Sequence, residues 1–338
     1  MRRFAVVAVA GALVSMSAPA GAAPVVAQEQ FDTYCTPQDP GLEELSGLTS
    51  IDGVLYAIGD SGTDHRLAVL GEGCSVARWL DVPVDPYDVE DLSSYRGQLW
   101  LSDTGDNRAR RDTVALTRMD PATGVGELHR LTYPDGPHDA ESLLIEPGGR
   151  PVIVTKAVSG VSGIYVPSGG ESVDQLSSPG PTALTKVGER AFDRTTTVGG
   201  PPFITGSILA TGGAVSPDGS VAAVRTYNDL YLFPVVDGDV ARALTGTPAV
   251  VALPVQPQGE AITFDGDGNL LVASEAAGGP LPPIQILYGA QSLAPTPPAT
   301  VPAESSSGGR WPLGAIAVAG VLVLVSLAYT FGIARRRQ

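Results

Sequence analysis

The sequence predicts an all-β fold, a β-propeller, followed by a C-terminal single transmembrane helix. A hairpin pattern recurs five times along the chain, and 41 Gly and 29 Pro residues are spread through it without a three-residue period. Short strands joined by tight turns have this composition, whereas collagen has a strict glycine period. An uncharged stretch from 311 to 334 predicts the membrane helix.

The N-terminal residues 1–27 predict a secretory signal peptide. Arg2 and Arg3 precede an apolar run from Phe4 to Val14, and small residues follow that run. The run is too short to span a bilayer, and this order of basic, apolar and small residues is typical of a leader. We therefore expect the following domain, residues 28–291, to be exported.

The C-terminal residues predict a membrane anchor. The stretch 292–310 is rich in Pro, Ser and Gly and is expected to be a linker. The helix 311–334 is long enough to cross the hydrocarbon core, and three arginines in the tail 335–338 favour the cytoplasmic side. We expect a single-pass protein of the cell membrane whose N-terminal domain is extracytoplasmic and whose C-terminus is cytoplasmic.

The charge balance excludes one class of partner. The chain has 21 Lys and Arg against 36 Asp and Glu, a formal net charge of −15. Nucleic-acid binding requires clustered cations, so we expect no nucleic-acid partner, and an acidic surface that concentrates cations. The two cysteines, Cys35 and Cys74, both lie in the exported part, where a disulfide between them is favoured over two free buried thiols.

Each of the five repeats opens with a β-hairpin. The turns contain Gly pairs such as Asp52-Gly53 and Asp218-Gly219, which supply the positive φ of tight hairpins. Further strand-like runs follow, so each repeat has about four strands, the number in a propeller blade. The reference apolar residues of the repeats are Leu48, Leu92, Leu143, Val215 and Ile262.

The repeat spacing leaves the number of blades open between five and six. The interval from Leu143 to Val215 is longer than the others, with surplus residues between Glu189 and Ser207. This surplus is short for four strands, so we count five blades and keep six as the alternative. The last repeat lacks a fourth strand, which we expect from Gln28 to Tyr34, closing the ring.

The first strands of propeller blades line the central channel, so equivalent residues of successive blades converge there. Two sets are predicted to meet: Glu90, Glu141 and Glu260, and the strand-end residues Asp60, Asp103, Lys156, Arg225 and Glu275. Two carboxylates about 5 Å apart repel by roughly 3 kcal/mol at an effective dielectric of 20, so such a cluster needs a cation or a proton. The three glutamates, Glu90, Glu141 and Glu260, are therefore candidate Ca²⁺ ligands together with Asp60 and Asp103, because flexible oxygen ligands suit calcium. The alternative is that Lys156 and Arg225 simply neutralise the glutamates.

Other candidates are less specific. Asn107 and Arg108 follow the Asp103 turn and, with Lys156, Arg225 and Glu275, are candidate ligand contacts. No catalytic residue can be assigned; His65 and His138 neighbour the predicted acids and could transfer a proton, although surface loops also hold such residues. There is no zinc-protease, serine-nucleophile or phosphate-loop pattern.

Short segments resemble a known family. Asp88–Leu92, Asp103–Arg108, Asp139–Leu143 and Gly259–Ile262 resemble exported bacterial propellers of the phytase-like kind, labelled for esterase-like activity. The resemblance implies a calcium-binding channel mouth, with the three glutamates as calcium ligands and Lys156 and Arg225 facing phosphate. The chain departs from that family in its five repeats and its few inner cations.

Two functions follow from these residues. The first is a surface propeller that binds an envelope ligand or protein partner, and the second is a calcium-dependent hydrolase of phosphoesters or related esters. No nucleophile or general base is fixed by the sequence, and a fold alone does not give a function. We favour the binding propeller.

Overall fold

The computed structural model describes residues 26–27, 29–60 and 62–296. Within these ranges the chain is almost entirely β, with one short helix, α1, at Val240–Ala243. The strands are β1 (Val26–Ala27), β2 (Asp32–Cys35), β3 (Leu45–Ile51), β4 (Val54–Gly59), β5 (Arg66–Leu70), β6 (Val76–Asp81), β7 (Asp91–Tyr95), β8 (Gln98–Asp103), β9 (Val114–Met119), β10 (Gly126–Thr132), β11 (Ala140–Ile145), β12 (Pro151–Thr155), β13 (Val161–Pro167), β14 (Thr182–Ala191), β15 (Ala210–Val215), β16 (Val221–Thr226), β17 (Asp229–Pro234), β18 (Ala249–Ala252), β19 (Gln258–Phe264), β20 (Leu270–Glu275) and β21 (Ile284–Leu287).

These strands form antiparallel arrays of four, each built around a hairpin. Array one is β3–β6, array two β7–β10, array three β11–β14, array four β15–β18, and array five β19–β21 completed by β2. Arrays two and three join through a short parallel pairing of β10 with β14. The strand predicted between Gln28 and Tyr34 is therefore β2, which pairs with β21.

The arrays follow one another around a closed ring. The first strand of each array contacts the first strand of the next, from β3 through β7, β11, β15 and β19, and β19 contacts β3 again. A cluster of buried apolar side chains lies at each junction between neighbouring arrays. The strands are thus covered on both faces, which explains their long apolar runs.

The ring closes with a covalent link as well as with strands. A disulfide joins Cys35, at the end of β2 in array five, to Cys74, which follows β5 in array one. This confirms the predicted pairing of the two cysteines. The link fixes the outer strand of array five to array one. It also lowers the conformational entropy of the unfolded chain.

The surplus residues of the long repeat form a connection rather than another array. β14 extends to Ala191 and β15 begins at Ala210, and the segment between them has a single 3-10 turn at Gly206–Ile208. This segment packs over Tyr227 and Asn228: a Cβ on Gly200 would lie 2.9 Å from Tyr227 Cβ, and Asn228 Nδ2 donates to the carbonyls of Thr197 and Gly199.

The predictions for the chain ends fall mostly outside the described residues. Val26 and Ala27, the end of the predicted leader, pair with Val250 and Val251 of β18. The rest of the leader, most of the predicted linker and the predicted transmembrane helix and tail are not among the described residues. No helix among those that are described has the length and apolar character needed to span a bilayer.

Candidate metal centre

The acids predicted to converge sit at irregularities near the starts of the first strands. The pairing of β11 with β12 slips at Glu141, and that of β19 with β20 slips around Glu260. Glu90 lies just before β7, where its N–H donates to the carbonyl of Ser102, the residue that also pairs with Asp91. A bulge re-aims the extra side chain, and here it places a glutamate at the same position in three arrays.

Two groups of carboxylates meet at Glu90. Oxygens of Asp60, Asp88 and Glu90 lie within 4.8 Å of one another, and so do oxygens of Glu90, Asp139 and Glu141. These five acids come from arrays one, two and three, so the ring of arrays brings them together. Each of these five side chains offers only carboxylate oxygens as metal ligands.

A second part of the cluster comes from array five. Gln258 Nε2 donates to Glu275 Oε2 at 2.5 Å and to Glu260 Oε1 at 3.3 Å. Tyr227 Oη donates to Glu260 Oε1 at 3.2 Å. Glu260 and Glu275 are both buried.

Within the described part of the chain, the cation Lys156 lies among these acids. Its Nζ forms an ion pair with Glu141 Oε1, and the same nitrogen lies 5.1 Å from the centre of the Tyr227 ring. Lys156 follows β12 directly, where the second strand of array three ends. It therefore bridges the acids of array three and the Tyr227–Glu260 pair.

Burial and mutual repulsion shift the titration of the cluster. Burial, followed by the charges of Glu141 and Glu260, raises the pKa of Glu90 well above its usual range. Burial raises the pKa of Asp88 to about 7, with a contribution from Asp60, and the pKa of Glu275 to about 11, with a contribution from Glu260. Burial by itself lowers the pKa of Lys156, but Glu141, Tyr227 and Glu260 together outweigh burial and raise that pKa.

Three observations fit a metal ion with oxygen ligands. Among the described residues, the buried oxygens Glu141 Oε2 and Glu260 Oε2 accept no hydrogen bond, although the two side chains are only 2% and 3% exposed. Gly105 lies against the acids, since a Cβ at this position would overlap Glu90 Oε1 and lie 2.5 Å from Asp88 Oδ2. The donors are carboxylates, which are the ligands of hard cations such as Ca²⁺.

Comparisons with known proteins give similar solved structures but no family. No family model and no curated protein matches the sequence. Glutaminyl cyclase from Myxococcus xanthus is similar in structure, with 11% identity, a TM-score of 0.47 and coverage of 78% of this chain and 98% of that one. The PQQ-bound aldose sugar dehydrogenase from Streptomyces coelicolor matches with 10% identity, a TM-score of 0.40 and coverage of 78% and 99%. A luciferin-regenerating enzyme matches with 12% identity, a TM-score of 0.41 and coverage of 72% and 76%.

The ring of four-stranded arrays around a common axis decides the architecture. The fold is β-propeller-like. The acids described above lie at the end of the propeller channel where the first strands begin.

The fourth repeat is out of phase with its prediction by two residues. In array four the register slips between Ala210 and Gly212, at Thr211, so Gly213 rather than Val215 is equivalent to Leu48 and Leu143. The residue that follows the last pair of the second strand, equivalent to Lys156, is then Tyr227.

Arg225 is enclosed and does not face the channel end. Its guanidinium donates to the carbonyls of Ala261 and Ala273, each at 3.0 Å, and to Gln256 Oε1 at 2.8 Å. Burial lowers the pKa of Arg225 to about 9. The predicted partner of a ligand is thus a buried cation between arrays four and five.

Asp103 is also displaced from the predicted set. It pairs within β8, and Thr104 is the residue equivalent to Lys156. Asp103 Oδ1 accepts from Asp88 N at 3.0 Å and from Arg111 at 2.8 Å. Its carboxylate therefore holds the backbone that presents Asp88, rather than joining the two groups of acids.

The remaining candidates do not belong to the two groups of carboxylates. His65 is exposed, and His138 Nε2 contacts Asp135 Oδ1 and the hydroxyl of Tyr165, both at 2.9 Å. Asn107 and Arg108 are exposed at the tip of a loop. That loop is held against the centre, because Asp106 N donates to Asp139 Oδ1 at 2.8 Å.

Sequence reasoning missed three members of the site: Asp88, Asp139 and Tyr227. Asp88 and Asp139 each precede a channel glutamate by two residues, and this repeated Asp-x-Glu spacing was the available signal. Tyr227 was missed because the fourth repeat was predicted two residues out of phase.

An open depression of about 510 Å³ lies at the opposite end of the channel. The inner hairpin turns of every array line it, including those at Asp52, Arg96 and Asp265. It is separate from the carboxylate centre, because the first strands run from one end of the channel to the other.

Proposed function

We propose that the chain is a membrane-anchored, extracytoplasmic propeller of five blades that binds Ca²⁺ at the carboxylate end of its channel and there binds an envelope ligand or protein partner. The observation that carries the proposal is the pair of buried oxygens, Glu141 Oε2 and Glu260 Oε2, that lack a hydrogen-bond partner within the described structure. Such oxygens are costly to bury unless a cation or proton occupies the space beside them.

Charge supports a divalent ion. Among the described residues the centre collects seven carboxyl groups and a single ammonium group: Asp60, Asp88, Glu90, Asp139, Glu141, Glu260 and Glu275, with Lys156. Two unit charges 4.8 Å apart repel by about 3 kcal/mol at an effective dielectric of 20. A bound Ca²⁺ would relieve several such pairs at once. Carboxylate oxygens in flexible numbers suit Ca²⁺, whereas zinc favours nitrogen and sulfur.

Exposed apolar side chains support a partner at the same end of the propeller. Tyr87 precedes Asp88 in the chain, Val158 follows Lys156 by two residues, and Phe203 lies in the segment that packs over Tyr227; all three are mostly exposed. Apolar groups around a charged centre are a common composition of interaction surfaces.

The disulfide supports an extracytoplasmic address. Cys35 and Cys74 are bonded, and such bonds persist in oxidising compartments. The leader pattern in residues 1–27 and the uncharged stretch 311–334 agree with export and anchoring.

The phytase-like hydrolase is the less favoured function. It would require cations that face phosphate beside the metal, and Arg225, one of the two inner cations, is enclosed by carbonyls of array five. Lys156 is already paired with Glu141.

The calcium site is tested by thermal unfolding and calorimetry on the full chain in detergent. We expect Ca²⁺ to raise the melting temperature of the wild type, since a ligand at a hundred times its Kd stabilises by about 2.7 kcal/mol. Glu141→Gln should lose the effect, whereas Glu127→Gln, in an exposed pair with Arg118, should keep it. If millimolar Ca²⁺ neither binds the wild type nor shifts its melting temperature, the proposal fails.

The partner is tested by photo-crosslinking in cells of the source organism. A crosslinker replaces Val158 at the carboxylate end or Val125 at the other end, since both side chains are exposed. We expect adducts from position 158 that disappear on chelation of Ca²⁺, and none of these from position 125. Identical adducts from both positions, or none from either, would contradict a partner at this face.

A further inference from the structure

Lys156 has an unusual position for a chain with so few lysines. The sequence holds only two, Lys156 and Lys186. Lys186 is 35% exposed and pairs with Glu189 three residues along the chain. Lys156 instead lies inside the proposed calcium centre, and its side chain is 14% exposed.

The contacts of Lys156 leave it two resting places. Its Nζ is paired with Glu141 Oε1 and also lies over the Tyr227 ring, 5.1 Å from the ring centre, and the hydroxyl of Tyr227 donates to Glu260 Oε1. A lysine ammonium is a point charge on a flexible four-carbon stem, and it can rest on the face of an aromatic ring. The ammonium already lies over the Tyr227 ring, so loss of the Glu141 contact would leave it that second partner.

The same carboxylate is needed by a metal. Glu141 Oε1 is occupied by Lys156, while Glu141 Oε2 has no hydrogen-bond partner among the described residues. An ion that used both oxygens of Glu141 would have to displace the ammonium. A divalent ion offers twice the charge of the ammonium that it replaces, whereas Na⁺ or K⁺ offers only the same charge.

We infer that Lys156 is an internal counter-cation that a divalent ion displaces from Glu141 onto the Tyr227 ring, and that it sets the selectivity of the centre for divalent over monovalent ions. This inference rests on the proposed calcium site. In the metal-free protein Lys156 lowers the repulsion among the acids, and in the loaded protein its displacement subtracts from the calcium affinity.

The substitution Lys156→Met tests the competition, with Lys186→Met as the matched control. Titrations use CaCl₂ with the full chain, with and without 150 mM KCl. We expect Lys156→Met to bind Ca²⁺ at least about tenfold more tightly, and KCl to weaken its binding far more than that of the wild type. Lys186→Met should behave as the wild type. Equal or weaker calcium binding by a folded Lys156→Met would overturn the inference.

A second measurement uses the wild-type protein and so does not depend on the folding of the variant. Lysine labelled selectively with ¹³C gives two side-chain signals, and the Lys186→Met spectrum identifies that of Lys156. We expect CaCl₂ to move the Lys156 signal upfield, through the ring current of Tyr227, and to leave the Lys186 signal in place. Saturation with Ca²⁺, seen by calorimetry, without movement of the Lys156 signal would refute the displacement and leave the calcium site standing. If Ca²⁺ binds neither wild type nor variant, the proposed function itself is wrong.

Discussion

Asp91 Oδ2 accepts a hydrogen bond from the backbone N–H of Gly213, at 3.1 Å, across 122 positions of the chain. The same oxygen accepts from Leu143 N at 2.7 Å, and Oδ1 accepts from Leu92 N at 2.8 Å. One fully buried carboxylate therefore ties the first strands of arrays two, three and four together inside the channel, directly below the carboxylate centre.

We expect Asp91→Asn to destabilise the fold. The amide has one oxygen in place of two, so at least one of the three N–H groups loses its acceptor, and each buried unsatisfied N–H costs about 1–3 kcal/mol. Thermal or urea unfolding measures the loss. The control is Asp52→Asn, at an exposed hairpin position with φ of 50° that asparagine tolerates. Equal stabilities of the two variants would contradict the role of Asp91.

The close packing around Gly213 explains why the fourth repeat was predicted out of phase. A Cβ on Gly213 would lie 2.6 Å from Leu144 Cδ1, so the first strand of array four needs a glycine where arrays one, two and three have leucine and array five has isoleucine. The hydrophobic pattern therefore indicated Val215, two residues later. The pattern depends on side chains, and at this position the backbone itself packs against the neighbouring array.

The sequence was more informative where side chains alternate regularly. The strands around Leu48, Leu143 and Ile262 were predicted because a short apolar strand, a turn and a second strand recur there, and the closing strand β2 was predicted because the last repeat lacks a fourth strand. The convergence of Glu90 and Glu141 was predicted from the same spacing. Tyr227 was not, because its place depends on a bulge, and a bulge leaves no mark in the hydrophobic pattern.

Gly105 supplies a direct test of the geometry of the metal centre. We expect Gly105→Ala to lower the calcium affinity at least about tenfold, because the added methyl would displace Glu90 Oε1 and Asp88 Oδ2. Gly266→Ala is the matched control, since a Cβ there meets no atom within 4 Å. Calorimetry with CaCl₂ reads the affinity. Unchanged binding by the Gly105 variant would place the ion elsewhere.

The disulfide is expected to contribute much of the stability of the closed ring. A loop closed over a sequence separation of 39 stabilises by about 4 kcal/mol on the chain-entropy view. The double variant Cys35→Ser with Cys74→Ser should therefore melt well below the wild type. Reduction of the wild type should give the same decrease. A variant that melts at the wild-type temperature would show that strand pairing of β2 with β21 suffices.

Asp218 predicts a loss of stability in acid at the other end of the channel. Its carboxylate accepts from Ser220 N at 2.9 Å, Ser216 Oγ at 2.8 Å and Gln291 Nε2 at 2.6 Å, and the backbone bond first of all lowers the pKa of Asp218 to about 2. A lowered folded pKa means that the stabilisation is present above about pH 4, the unfolded value, and is lost as the pH falls through 2.

The measurement compares unfolding free energies of the wild type and Asp218→Asn from pH 6 to pH 2. At pH 6 the unfolding free energy of the wild type should exceed that of Asp218→Asn by less than about 1 kcal/mol, because the carboxylate is exposed to solvent. This difference should shrink toward pH 2. Gln291→Ala removes one hydrogen-bond donor to Asp218. Its unfolding free energy should therefore exceed that of Asp218→Asn by less than the wild type's does over the same pH range. A difference that stays constant down to pH 2 would mean that these three hydrogen bonds do not favour the ionised carboxylate.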